Sequence, residues 1–270
     1  MLLTDESTQS FIDSIDLNNP LHIAMLVIAG IIVLVSIWAA GVSIYLAIKY
    51  IKFNRKQNSC GMTGKDIARK ILDDNDLKNI GVSKNGSILF GNSYSHYFHK
   101  VRLRRLTWKK SSVSSMAMAA QKSSLAVMDK EKDPAMRTRI ILTPLYYFGP
   151  LAFVPMIIIG VLLDYFVFTN TSGLCTIICT AVGFLFYLIG FVLQILQLKT
   201  EKKAQLKAYE IVKKEGLAND EEIGMMKDLF HLYNIEYVNN LILALLEIIW
   251  RILALVNNFS GSRSSSSSSN

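Results

Sequence analysis

The sequence predicts an α-helical multi-pass membrane protein that carries a small cytoplasmic α/β insert. Three observations make that prediction. Of the 270 residues, 51% are hydrophobic and 19% charged, whereas a soluble fold of this size has about 25% charged residues. The apolar residues are clumped: Met25 to Ala40, Leu145 to Phe168 and Leu174 to Leu198 are nearly free of charge, and the last two exceed the roughly 20 residues that cross a bilayer. The formal charge of +8 is uneven as well, because residues 49–144 hold 20 of the 29 Lys and Arg but 7 of the 21 Asp and Glu. These figures exclude a disordered tail protein and disfavour an ordinary soluble domain.

Residues 1–20 carry Asp5, Glu6, Asp13 and Asp16 and no Lys or Arg. A secretory leader needs a basic start and a small-residue cleavage site, so the run after Pro20 reads as a retained anchor over residues 21–48. Lys49, Lys52, Arg55 and Lys56 follow it at once. By the positive-inside bias, residues 1–20 are then outside the cell membrane and residues 49–144 cytoplasmic. The other flanks agree. Lys130, Lys132, Arg137 and Arg139 precede the second span, residues 145–168; Lys199, Lys202, Lys203 and Lys207 follow the third, residues 174–198; the connection Thr169 to Gly173 is uncharged. Residues 199–232 read as a cytoplasmic helical segment. In the next helix, residues 233–256, the stretch Leu241 to Val256 has 14 apolar residues in 16, broken by Glu247 and Arg251, whose i, i+4 spacing pairs them on one face. This helix spans the membrane or lies along its interface, with crossing favoured. Residues 257–270 close on a serine run that predicts a disordered tail.

Within the insert, Thr63-Gly64-Lys65-Asp66 has capping-box spacing ahead of Ile67, Ile71 and Leu72, which predicts a helix from Thr63 to about Asn79. Gly81 to Phe90 contains the hairpin signal Asn85-Gly86, and Tyr97 to Leu106 partly alternates through Val101, Leu103 and Leu106, so two or three short strands are expected. Val113, Met116, Ala117, Ala120, Ser124 and Val127 recur at helical spacing over residues 111–130. A helix with so little charge in its middle, placed between a basic sheet and a membrane span, has to be buried.

The order and spacing of several segments give a family resemblance. Thr63-Gly64, Ala68, Ile71 and Leu72 match a Thr-Gly-x-x-x-Ala-x-x-Ile-Leu helix; His96-Tyr97 and Val101 match a His-Tyr edge-strand segment; Arg139, Leu142, Pro144, Phe148 and Gly149 match an Arg-x-x-Leu-x-Pro stretch entering a span; Gln194, Leu198, Glu201, Ala204 and Ala208 match a segment ending in Glu-x-x-Ala; Tyr237-Val238 falls on the last helix. Over residues 61–255 the chain resembles the YugP-like neutral zinc metallopeptidases, multi-pass membrane proteins in which a helix bearing Ala-Ala-His-Glu-x-Gly-His lies beside the membrane. The resemblance implies a zincin-like insert. It also implies that residues 111–130 hold the metal-site helix, with Glu201 at the third-ligand position.

The departure from the family falls on the chemistry. A zincin needs two His at i, i+4 on one helix face, a Glu between them as general base, and an open position for water. Here Ala119-Ala120 precedes Gln121 at the first ligand position, Lys122 at the base position and Leu125 at the second ligand position. Leu125 has no lone pair, Gln121 is a poor ligand, and Lys122 brings positive charge and stays protonated at neutral pH. No catalytic residue, metal or other cofactor is expected on this reading. A lone buried Glu201 would cost several kcal/mol, so an ion pair between Lys122 and Glu201, with the ammonium neutralising the carboxylate in place of a metal, is expected against the alternative of Glu201 on a solvated face with Lys202, Lys203 and Lys207.

Other groups are weaker candidates. His96 and His99, three apart on an expected strand, should point to opposite faces, although either could reach a metal with Glu201 and Asp129; His22 and His231 are isolated. Cys60 lies in a polar segment, and Cys175 and Cys179 read as buried thiols rather than ligands. The serines between Ser111 and Ser124 lack a His or acid partner and signal close packing. Three functions follow: a non-catalytic pseudo-peptidase that binds peptides or handles membrane proteins, holding an extended peptide on an edge strand near His96 to Arg105; a divergent zinc metallopeptidase with altered ligands; or a basic module binding anionic lipid headgroups through Lys100, Arg102, Arg104, Arg105, Lys109 and Lys110, with Trp108 at headgroup depth. No nucleic-acid partner is expected, because no motif accompanies the basic residues.

Overall fold

A computed structural model describes residues 18–85, 91–167 and 173–266, with the side chains of 144, 146–151, 255 and 258–266 excepted. The expected Asn85-Gly86 hairpin, most of the N-terminal segment and of the uncharged connection, and the last four residues lie outside the described residues. The chain is mostly helical. In order it forms α1 (Pro20–Arg55), α2 (Gly64–Asp74), β1 (Gly81–Lys84), β2 (Ser93–Ser95), β3 (Lys100–Leu103), α3 (Arg105–Lys109), α4 (Val113–Lys130), α5 (Pro134–Phe166), α6 (Leu174–Lys214) and α7 (Asp220–Ser266). Two compact units divide it, one of Met1–Gly41 with Val238–Asn270 and the other of Val42–Tyr237.

Pro20–Arg55, Leu174–Lys214 and Asp220–Ala254 are long and apolar enough to cross a membrane, and Ala152–Phe166 is a shorter apolar stretch. The spans read from the sequence are therefore parts of longer helices: α5 starts at Pro134 rather than at residue 145, and α6 runs on from 198 to Lys214. A helix satisfies its own backbone in lipid and in water alike, and Lys, Gln, Glu and Ala sustain it past the apolar stretch. The same continuity carries α7 on to Ser266; once nucleated, a helix gains one hydrogen bond per residue fixed. In the first unit, α1 begins at Asn19, whose Oδ1 accepts from Leu21 N at 2.9 Å, and Val33, Leu34, Ile37 and Trp38 project outward around it, as in a helix built for an apolar surround. His22 bonds Asn257 at 3.2 Å, and Glu247 pairs with Arg251.

The second unit is built around α4. Fifteen of its 18 residues are buried, packed by α2, α3, the sheet and α6. Its N-terminus is capped by Ser112, whose Oγ accepts from Ser115 N at 3.2 Å. Helix α2 has the expected capping box between Thr63 and Asp66 and buries Ile67, Ala68, Ile71 and Leu72. It stops at Asp74 instead of Asn79, because Asp76 turns left-handed (φ 55°) while Asp76 N donates to Asp73 O and Leu77 N to Leu72 O at 2.8 Å, a Schellman ending without glycine. Gly64 lets α2 abut α3, since a Cβ there would lie 2.1 Å from Thr107 O.

The sheet has the order β1-β3-β2, with β1 parallel and β2 antiparallel to β3. Val101 and Leu103 are fully buried and Tyr94 nearly so. This corrects the expected strand over Tyr97 to Leu106. Residues 96–99 form the turn between β2 and β3, with His99 at φ 46°, only residues 100–103 are strand, and Arg105 onward is helix.

Helices α5 and α6 form an antiparallel pair. Asp164 near the end of α5 accepts from Cys175 N (3.1 Å), Thr176 N (2.7 Å) and Thr176 Oγ1 (2.6 Å), and so occupies the free backbone donors that open α6. The helices touch at Gly160, where a Cβ would lie 2.7 Å from Thr176 Cα and 2.9 Å from Cys179 Cβ, which places the two thiols in a close helix crossing. Gly160→Ala is expected to destabilise by about 1–3 kcal/mol, read as a lower midpoint of thermal unfolding in detergent; an unchanged midpoint would show that the crossing gives way freely.

Candidate functional site

Helix α4 carries one side chain in its buried middle that reaches outward with charge, Lys122, and its Nζ donates to Glu201 Oε2 on α6 at 2.8 Å. Gln121 Nε2 donates to the same oxygen at 2.9 Å. The other oxygen, Oε1, accepts from Arg139 NH1 on α5 at 2.7 Å. Three helices thus meet on one carboxylate. The side chains are 12% (Lys122), 18% (Arg139) and 14% (Glu201) exposed, so solvent contributes little to their neutralisation. Burial pushes the Glu201 carboxyl up, but the Lys122 and Arg139 charges beside it outweigh burial and hold it down to about 2 from 4.5. Glu201 lies three residues past the apolar stretch 174–198, outside the part of α6 with the composition of a span.

Leu125 is one turn on from Gln121, on the same helix face, and is fully buried among apolar side chains. For a zinc ion the donor set is wrong. Leu125 offers no lone pair, the Gln121 amide nitrogen faces Glu201, and both oxygens of Glu201 are engaged by cations or N–H groups. These residues do not fit the metal that a two-His, one-carboxylate site would hold.

A second polar group forms where α4 ends. Asp129 Oδ2 accepts from Tyr94 OH at 2.6 Å and bonds His96 Nδ1 at 2.6 Å. Burial, then the adjacent Asp129 carboxylate, raises the Tyr94 hydroxyl, which therefore stays a donor. The His96 and His99 rings are 5.9 Å apart, so the expectation that they face opposite sides fails: a turn, not a strand, carries them. Among the described residues no three His, Cys, Asp or Glu side chains converge on a metal position, and no hydrogen bond or ion pair joins this group to Glu201. His231 is exposed.

The basic residues of the insert do not share one strand face. Arg102 is on β3, Arg104 precedes α3, Arg105 and Lys109 are on α3, and Lys110 follows it. Trp108 packs on the core with Lys65 Nζ 5.5 Å from its ring centroid. The segment His96 to Arg105 is not an edge either: β3 is central, and among the described residues β1 and β2 are the edges. Of these, β2 borders a cavity of about 630 Å³ that is also lined by the start of α5 and by side chains between residues 193 and 203 of α6. Arg139 is on its wall. It was legible in the sequence as a family-matching position, but nothing in its spacing told that it would share Glu201 with Lys122; the Tyr94–Asp129 pair likewise joins residues 35 apart with no local signal.

A family model described as "Putative neutral zinc metallopeptidase" matches residues 25–257. The chain is also 27% identical over 237 residues to the "Putative membrane protease YugP" of Bacillus subtilis (strain 168), covering 83% of this chain and 96% of that protein. No solved structure matches.

Proposed function

The chain belongs to this neutral zinc metallopeptidase family, and from that premise we propose that it is a non-catalytic, multi-pass membrane member that acts by binding. One observation carries the reading: Lys122 and Arg139 neutralise Glu201 from two other helices, so that the carboxylate at the third-ligand position is satisfied by the protein's own cations. With Lys122 at the base position and Leu125 at the second ligand position, neither water activation nor ligation has a residue to perform it. The partner is a membrane protein or peptide laid along β2, an edge strand of the sheet among the described residues. In the proposed topology residues 1–20 lie outside the cell, residues 49–144 and 199–232 are cytoplasmic, and residues 145–168, 174–198 and 233–256 cross after the first anchor.

The test is the metal content of the purified full chain by mass spectrometry. Zinc far below one ion per chain is expected, before and after addition of excess zinc and buffer exchange. Stoichiometric zinc that disappears in Glu201→Ala would overturn the reading in favour of a divergent metallopeptidase centred on Glu201. Zinc that survives Glu201→Ala but is lost in His96→Ala would overturn it in favour of a site at the His96–His99 turn, where the rings already approach each other.

A further inference from the structure

We propose that the cavity between β2, α5 and α6 is a binding site for one anionic phospholipid, entered from the cytoplasmic leaflet. The inference rests on reading residues 174–198 as a span. Its carrier is the sequence of chemistry along the cavity wall. Leu193 and Leu196 come from the last turns of the apolar stretch of α6, Ile140 and Leu142 line the cavity from α5, the next turn of α6 supplies Lys199, and β3 supplies Arg102. Apolar wall, then cationic rim, is the polarity order of a phospholipid from acyl chain to phosphate.

The charge is unbalanced in the same sense. Among the described residues no Asp or Glu is on the wall. Two of its cations are already committed, Arg139 to Glu201 at 2.7 Å and Lys203 to Asp133 at 3.0 Å. Arg102 and Lys199 have no carboxylate within ion-pairing distance among the described residues. Arg102 instead lies 5.1 Å from the Phe98 ring centroid, an arrangement that holds a guanidinium in place and leaves its outer N–H groups for an oxyanion. Ser95 adds a hydroxyl donor on the wall, whereas Thr138 Oγ1 already donates to Pro134 O at 2.9 Å. The volume of about 630 Å³ is that of a small-molecule pocket, which run roughly 300–1,000 Å³, and takes a phosphoglycerol headgroup with the first methylenes of its chains. A neutral lipid leaves Arg102 and Lys199 uncompensated next to hydrocarbon, which is where anionic selectivity originates. This site differs from a diffuse basic surface, since Arg105 and Lys109 are on α3 and have no part in its wall.

The experiment measures binding of phosphatidylglycerol and phosphatidylcholine to the full chain in detergent micelles by native mass spectrometry, with flotation on phosphatidylcholine vesicles as the separate check on the span. One phosphatidylglycerol per chain is expected to be retained over phosphatidylcholine, with affinity reduced roughly ten- to thirtyfold in the double variant Arg102→Gln, Lys199→Gln. Leu196→Trp, which fills the apolar half and leaves every charge in place, is expected to reduce it as well. Arg105→Gln with Lys109→Gln should leave it unchanged. Equal loss in that control, equal retention of the two lipids, or displacement of no lipid by Leu196→Trp in a variant that melts like the wild type would each overturn the proposal; so would exclusive retention of a peptide at β2 with no lipid preference. Zinc content does not enter this readout, so a failure of the non-catalytic reading leaves it standing, and a failure to float would sink the span reading independently.

Discussion

Replacing Glu201 with alanine is expected to destabilise the unit Val42–Tyr237 by about 3–5 kcal/mol, the typical cost of stranding a buried charge. The loss exceeds that of a surface pair, because Lys122 and Arg139 are 12% and 18% exposed and neither has a second carboxylate among the described residues. In thermal unfolding this is a midpoint lower by on the order of 10 °C for a unit of this size. Lys122→Met should cost less, about 1–3 kcal/mol, since Glu201 keeps Arg139 and Gln121. The double variant Lys122→Met, Glu201→Gln should then lose less than the sum of the singles, and strict additivity would show the pair to be uncoupled. Acid gives the same answer by a different route. The folded carboxyl is held down to about 2 while its ordinary value is 4.5, so between these values the unfolded chain takes up a proton that the folded chain does not. The contribution of Glu201 is whole above about pH 4.5 and is lost as pH falls toward 2, amounting to about 3 kcal/mol. In Glu201→Gln the fall in midpoint across that pH window should flatten.

Introducing the His-Glu-x-x-His pattern of a zinc helix at three positions, Gln121→His, Lys122→Glu and Leu125→His, is expected to convert the same cluster into a zinc site. Helical i, i+4 spacing puts both imidazoles on the α4 face from which Gln121 already reaches Glu201 at 2.9 Å. The Lys122→Glu change removes the cation that holds Oε2 and supplies a carboxylate at the position of a general base. Arg139 still holds Oε1 at 2.7 Å, so adding Arg139→Gln should raise zinc affinity by about tenfold. The readouts are zinc per chain and a rise in unfolding midpoint that a chelator reverses. A triple variant that folds and takes up no zinc would show that positions 121, 125 and 201 do not converge as ligands.

How much of this was legible in the sequence depends on whether the determining interaction is local. The capping box at Thr63, the burial of α4 and the apolar stretches of the long helices are set by residues within a turn or two, and the sequence pattern reveals them. The end of α2 is also local, yet it was misplaced by about a turn because its left-handed residue is Asp76 rather than glycine; α4 ends the same way at Lys132 (φ 58°), and only α6 uses a glycine, Gly216 (φ 62°). The His96–His99 turn was hidden for a similar reason: a non-glycine at positive φ gives no punctuation signal, so the segment read as one alternating strand. For the site, the family pattern brought positions 121, 122 and 201 under one argument, and charge suggested that Lys122 and Glu201 meet. Arg139 escaped that argument, since its closeness to Glu201 is a product of how α5 leaves the turn capped by Asp133, whose Oδ1 accepts from Ala135 N at 2.8 Å.

The placement of α4 has a consequence for biosynthesis. Its partners on one side, α2 and the sheet, precede it in the chain, but the carboxylate that meets Lys122 comes 79 residues later, within α6, the second helix of the α5–α6 hairpin. A chain emerging N-terminus first therefore exposes a nearly uncharged helix with one uncompensated lysine until α5 and most of α6 have been made and have packed against it. Closure of the core waits on the hairpin, so a defect in it is expected to appear first as aggregation or proteolysis of the segment around α4, far from the lesion itself.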